Sequence, residues 1–227
     1  MFVHETSRVW DDLNTTTVNG KRHYIVGDAK LPSITTVLSA NPEKIAALAK
    51  WRKNVGQEKA KQISRVASSR GTKAHLICER YVNNEEHYAE GAMPDALTMF
   101  KSLKPTLDKN LGLVHAQEVA LHSRVLGVAG RVDLIAEWDG SLASIDYKTS
   151  GKLKRKEWIS DYFMQGAAYA CMYYELTGIP IRDVVIAIMV DGMREPQIFK
   201  EKVGDWLQPL KSAINYYNAI NSRQQIV

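Results

Sequence analysis

Asp133, Asp146 and Lys148 lie within one short stretch, Gly127–Ser150, and their types and spacing are suited to chemistry. Between them, Asp139-Gly140 is a strong signal for a tight two-residue hairpin turn. With those two residues as the loop, Trp138 pairs with Ser141, and stepping outward brings Asp133 opposite Asp146. Their Cβ atoms would then sit about 5 Å apart on one face. A four-residue loop gives the same register, whereas a three-residue loop with a bulge breaks it. Like charges placed directly opposite destabilise a hairpin, so a bound cation, a basic partner or a shared proton must offset them. Lys148 falls on the same face as Asp146, and Tyr147 points to the other side. Hard oxygen donors of this kind suit Mg²⁺ or Mn²⁺. The bland alternative is a solvated ladder in which Lys148 merely neutralises the aspartates. Two neighbours argue against it. Ser144 adds no apolar bulk to the Asp146 face, and the strongly apolar run Val184–Val190 flanks it. The face therefore belongs in a partly buried cleft, where unpaired carboxylates are costly.

The elements that must position these residues are readable from periodicity. The first 38 residues alternate around Asn19-Gly20 and Gly27-Asp28 and read as a hairpin, followed by extended Leu31-Pro32-Ser33. A basic helical stretch runs from about Pro42 to Arg65, its lysines and arginines spread around the helix as on a solvated face. Helices are expected from about Ser68 to Val82 and from about Pro94 to Asn110. Strands follow at Leu113–Ser123, Leu126–Glu137 and Leu142–Lys148. An amphipathic helix over about Lys156–Thr177 stops at Gly178-Ile179-Pro180. Val184–Val190 reads as a buried strand, and about Val203–Ser222 as a closing helix. That order fits an α/β sandwich around a mixed sheet.

The 227 residues suffice for one domain with some elaboration, and 45% hydrophobic with 24% charged is ordinary for a soluble globular protein. A net charge of +5 agrees with a polyanionic partner without demonstrating one. The two cysteines, Cys78 and Cys171, lie in helical stretches and read as buried free thiols; two thiols cannot build a four-cysteine zinc or iron–sulfur site. The N-terminus has no secretory signal, and no apolar run approaches a membrane span, which implies a cytoplasmic protein with no membrane partner.

Further motifs carry a resemblance. Asp133 followed by Asp146-Tyr147-Lys148 resembles the PD-(D/E)xK nuclease signature, without the proline before the first aspartate. Gly71-Thr-Lys-Ala-His75-Leu-Ile-Cys-Glu79 looks like the G-xxx-H-xxx-E helix of the RecB-type branch. Gln165-Gly-Ala-Ala-Tyr169 looks like its Q-xxx-Y motif. The run Leu31-Pro-Ser-Ile-Thr-Thr-Val-Leu38 is similar to the start of phage and mitochondrial genome-maintenance exonucleases. The resemblance implies a restriction-endonuclease-like core, a mixed central sheet flanked by helices, over residues 67–227. Residues 1–66 would form an N-terminal hairpin and basic helical extension packed on it.

The same resemblance implies that Asp133, Asp146 and Lys148 are catalytic. His75, Asp133, Asp146 and the backbone carbonyl of Tyr147 would hold one or two Mg²⁺ or Mn²⁺ ions, with no iron–sulfur cluster. Glu79 either orients His75 or caps a core contact, and Glu118 is either a further ligand or a solvated strand carboxylate. Gln165 and Tyr169, one turn apart on a face with Tyr162 and Met172, shape the site or hold DNA; the alternative is a core-facing stripe with polar tips. Arg131 and Thr149 are further candidates for DNA contact or site shaping. The implied activity is hydrolysis of DNA phosphodiester bonds. The expected form is an exonuclease on single strands or DNA ends, serving replication, recombination or repair in a bacterial or phage-infected cell. Replication or recombination proteins would be its partners, and the basic helices with Trp51 would form the strand's path. The rivals are a structure-specific endonuclease on the same core and an inactive DNA-end-binding accessory protein.

Overall fold

The computed structural model describes residues 1–224. A sheet of five strands runs through the molecule in the order β4 (Leu111–Ser123), β5 (Val128–Trp138), β6 (Ser141–Ser150), β7 (Asp183–Val190) and β8 (Gln197–Lys202). All neighbours are antiparallel except β6 and β7. That parallel step needs a crossover, supplied by α5 (Ser160–Thr177). The sheet is therefore mixed, as the sequence implies.

Helices cover both faces. On one lie α5, α1 (Ile34–Ser39) and α6 (Val203–Gln224), packed on Val132, Val184, Ile186 and Ile188. On the other lie α3 (Gln57–Val82) and α4 (Pro94–Asn110), packed on Leu134, Ala136, Ile145, Val185 and Ala187. Every residue of β7 is buried, which is why Val184–Val190 is a continuous apolar run rather than an alternation. The β5–β6 hairpin closes on Asp139 and Gly140 with φ of 51° and 74°, the mirror-image turn whose twist matches its strands. α5 approaches β7 closely because Gly166 has no side chain: a Cβ there would stand 2.3 Å from Val184 Cγ1.

Several expectations change. The N-terminal segment is a three-stranded meander, β1 (Thr15–Val18), β2 (Lys21–Val26) and β3 (Ala29–Pro32), rather than a single hairpin. Tyr24 of β2 packs on Ala120 and Ala129 and so fixes the meander to the main sheet. The basic helix does not run to Arg65. α2 (Pro42–Val55) ends at Gly56, whose φ of 89° a glycine adopts at little cost, and α3 then continues unbroken to Val82. The boundary expected at residue 66 thus falls inside α3. β8 escaped notice because only Ile198 and Phe199 are apolar in this half-exposed edge strand. The helix expected from Lys156 begins as a short 3₁₀ turn, Lys156–Trp158, before α5. Both cysteines are free, Cys78 buried and Cys171 partly so. Among the described residues, no helix is long and apolar enough to cross a membrane.

Candidate active site

The site begins with a defect shared by two strands. β4 and β5 pair regularly from Ser123↔Val128 to Val119↔Val132, and again at Gln117↔Leu134 and Ala116↔Ile135. Glu118 and Asp133 are the pair passed over. Strict alternation would put residues 116, 118 and 120 on one face. Instead Ala116, Val119 and Leu121 share the α5 side, and on β5 so do Val132 and Ile135. Each strand therefore carries one residue more than the alternation has places for. Glu118 accommodates this with a φ of 50°, a left-handed conformation that L-residues seldom adopt.

These two extra residues turn their carboxylates toward α3. One ligand atom each from His75, Glu118 and Asp133 lies within 4.8 Å of the others. Asp133 Oδ2 accepts the Tyr147 amide at 2.8 Å and stands 3.4 Å from His75 Nδ1. The expected face-to-face pairing of Asp133 with Asp146 is only partly realised. The β5–β6 register is the one expected, from Trp138↔Ser141 to Leu134↔Ile145, but it ends one pair short of the aspartates. The extra residue in β5 rotates Asp133 out of the ladder, so its carboxylate meets the backbone of β6 instead.

Asp146 continues along β6 opposite Ile186 and faces α5. It is 1% exposed. Its Oδ1 accepts Gln165 Nε2 at 3.0 Å, and its Oδ2 pairs with the Lys148 ammonium. Lys148 Nζ also lies 5.0 Å above the Tyr162 ring. Tyr147 turns away into the α3–α4 core, its ring edge-on to His75. Thus His75 and Asp133 come together as expected and Glu118 joins them, whereas Asp146 is held by Lys148 and Gln165. The Tyr147 backbone takes part through its amide.

The electrostatics follow from this packing. Burial opposes charge on His75, but Asp133 beside it prevails and raises its pKa to about 9. Burial pushes at Asp133 too, yet His75, Lys148 and the Tyr147 amide hold its carboxyl below the usual range. Glu118 is pushed up to about 7 by burial, then by the charges of Asp133 and Glu79. Burial lifts Asp146 to about 6, with Lys148 pulling against it. Lys148 stays above its ordinary value, because Asp146 and Asp133 outweigh the cost of burying it. Negative charge is crowded here beyond what His75 and Lys148 neutralise. An imidazole with two carboxylates is a donor set that fits a hard divalent cation.

Of the remaining candidates, Glu79, Arg131, Gln165 and Tyr169 line the same cleft of about 740 Å³, and Thr149 does not. Tyr169 is 2% exposed and its ring rests on Gly130, where a Cβ would come within 2.9 Å of Cε1; its hydroxyl lies 3.5 Å from Gln165 Nε2. Arg131 donates to the Glu118 carbonyl and pairs with the Asp12 carboxylate. Thr149 packs by Gly71, where α3 nears β6. Glu79 reaches the cleft but makes no hydrogen bond to His75 among the described residues. The sequence pattern did not single out Arg22, Thr35 or Asp161 as cleft residues, though all three line it. Only Thr35 carried a signal, by lying within the Leu31–Leu38 motif. Arg22 reaches the cleft through the docking of the meander, which no local pattern announces.

Comparison with known proteins bears on this geometry. The profile of the PD-(D/E)XK nuclease superfamily matches residues 44–205. A mitochondrial genome maintenance exonuclease of Mus musculus is 27% identical over 130 residues, 55% of this chain. The match spans 38% of that relative's length. A solved structure from Eubacterium rectale, provisionally described as an exonuclease, aligns with 66% of this chain and 68% of its own, at 12% identity and a TM-score of 0.41. With its mixed five-stranded sheet, its helices on both faces and a profile match over most of its length, the chain belongs to the PD-(D/E)XK nuclease superfamily.

Proposed function

We propose that this nuclease is a divalent-metal-dependent deoxyribonuclease, working as an exonuclease on single strands or DNA ends. The observation that carries the reading is the convergence of His75, Glu118 and Asp133 beside the Asp146–Lys148 pair in one cleft. His75, Asp133 and Glu118 would hold Mg²⁺ or Mn²⁺, with Asp146 released from Lys148 to join them. When bound, such an ion lowers the pKa of an attacking water and offsets charge on the scissile phosphate.

The chain's own residues supply the rest. Lys148 remains protonated, so its role is electrostatic: it presents an ammonium to charge growing on the phosphate. Gln165 fixes Asp146 through its amide, and Tyr169 with Gly130 gives the site a rigid wall. The path of the strand is assigned to α2 and the first half of α3. No residue of α2 is buried, and the pair carries Lys50, Arg52, Lys53, Lys59, Lys61 and Arg65. Phosphate contacts to these side chains, with stacking on Trp51, suit a single strand. The mitochondrial relative's name supports an exonuclease acting on DNA.

The test uses end-labelled single-stranded, duplex and circular DNA with Mg²⁺ or Mn²⁺, for wild type and Asp146→Ala. Digestion of linear but not circular DNA supports the exonuclease, and nicking of circles replaces it with an endonuclease. A wild type that binds ends but cleaves nothing with either metal would leave an accessory binding protein. Lys148→Ala is expected to keep DNA binding and lose cleavage.

A further inference from the structure

The cleft holds four cationic side chains besides His75, and three are already neutralised. Lys148 pairs with Asp146, Arg131 with Asp12 and Lys44 with Asp161. Arg22 is the exception: it lines the cleft and has no carboxylate partner among the described residues. Its neighbours nevertheless set its place. Its guanidinium lies 5.6 Å over the ring of Tyr24, itself 2% exposed. Its Nη2 donates to Ser33 Oγ at 3.4 Å and to Thr35 Oγ1 at 3.5 Å, and those hydroxyls bond each other at 2.8 Å.

Ser33 is fully buried and fixed from both sides. Its amide donates to the Arg22 carbonyl at 3.0 Å, and it bridges Ala129 of β5. Among the described residues only Nη2 of the guanidinium has a hydrogen-bond partner, which leaves Nε and Nη1 as donors in the planar fork that suits phosphate oxygens. A cation this well positioned, beside a hydroxyl and with no acid to satisfy it, is set up for an anion.

We propose that Arg22 and Thr35, positioned by Ser33 and Tyr24, form a phosphate-binding subsite that grips the polynucleotide backbone within the cleft. This rests on the nuclease reading and extends it. Such a subsite also accounts for the make-up of the Leu31–Leu38 motif, in which Ile34 is buried in the core while the flanking Ser33 and Thr35 set the guanidinium. The rival explanation is that Arg22 merely ties the meander to α1.

Binding of a labelled single-stranded oligonucleotide, followed by anisotropy in EDTA over a range of salt, separates the two. Arg22→Gln should weaken binding about tenfold and flatten the slope of log Kd against log salt by about 0.7, the share of one phosphate contact on a single strand. Arg22→Lys should restore the slope but not the full affinity, because the fork is lost. Thr35→Val, which keeps the shape of the side chain, should weaken binding about threefold and can be read even where Arg22→Gln folds poorly. An unchanged affinity and slope in these variants, with a lowered melting temperature and a wild type that binds and cleaves, overturns the subsite and leaves the nuclease reading standing. A wild type that neither binds nor cleaves DNA overturns both.

Discussion

Gly166 offers a demanding test of how this fold delivers its site. In an ordinary exposed helix, glycine to alanine gains about 1 kcal/mol of helix propensity. Here the added Cβ would stand 2.3 Å from Val184 Cγ1 and 3.2 Å from Cγ2, where carbon atoms prefer about 3.5–4.0 Å. Either α5 retreats by about 1 Å or Val184 leaves its rotamer, at a cost of about 1–3 kcal/mol. The clash should win. Gly166→Ala is expected to lose about 1 kcal/mol net in urea or thermal unfolding, and a melting temperature lowered by about 2–4 °C for a chain of this size. Val184→Ala removes the offending methyls. In that background Gly166→Ala should become neutral or stabilising, a coupling of about 1–2 kcal/mol in a double-mutant cycle. Gln165 is the preceding residue, so a retreat of α5 also stretches its 3.0 Å bond to Asp146. Cleavage should fall with Gly166→Ala and recover with the second substitution. A Gly166→Ala protein stabilised by the full helix-propensity gain, or equally affected in both backgrounds, would refute the close-approach argument.

Other outcomes follow from single features. Glu118→Gly should be about 1 kcal/mol more stable than Glu118→Ala by chemical denaturation, since only the alanine still pays for the φ of 50°; both should lose metal-dependent cleavage. Gly130→Ala should lower the melting temperature by displacing the Tyr169 ring, and most of that loss should vanish in a Tyr169→Ala background. Asp183 is buried at the start of β7, accepting Ser141 Oγ at 2.8 Å and Lys202 Nζ at 2.6 Å with Lys200 at 3.5 Å. Burial opposes its charge, yet these partners hold its carboxyl below the usual 3.8. Its contribution is therefore present above about pH 4 and is lost as pH falls through the folded value. Asp183→Asn should cost about 1 kcal/mol at neutral pH, because water screens the exposed lysines. That gap should narrow in denaturation curves run below about pH 4 and close only below the lowered folded value; a gap independent of pH would show that the ion pairs contribute nothing.

The sequence exposed what depends on local periodicity. Asp139-Gly140 announced its turn, so the hairpin register was readable to the residue, and α4 has the expected bounds because Pro94 and the strand-forming Leu111 run delimit it. Gln165 and Tyr169 could be placed on one helical face by spacing alone, and they meet in the structure. What could not be read depends on departures from periodicity. The Asp133–Asp146 pairing assumed an unbroken alternation, and the extra residue in β5 broke it. Glu118 looked like any strand carboxylate, because nothing in its neighbours signals a left-handed backbone. The role of β2 in supplying Arg22 depends on docking across the chain. Gly56 was legible as a breaker in principle, but the polar residues around it obscured where one helix stopped and the next began.

The surplus residues in β4 and β5 have one more consequence. Remove Glu118 and Asp133 together, and Gln117 would be followed by Val119 and Leu134 preceded by Val132, with each side chain on the face an ordinary ladder requires. The two carboxylates can thus be seen as a matched insertion into this stretch of the ladder, separate from the register shifts between Leu111 and Ala116. A deletion on one strand alone would throw its far half out of register, whereas the double deletion should fold well and be inert. Loss of activity by that route would leave a sound scaffold, so a damaged gene could pass on a stable protein with nothing left to cut.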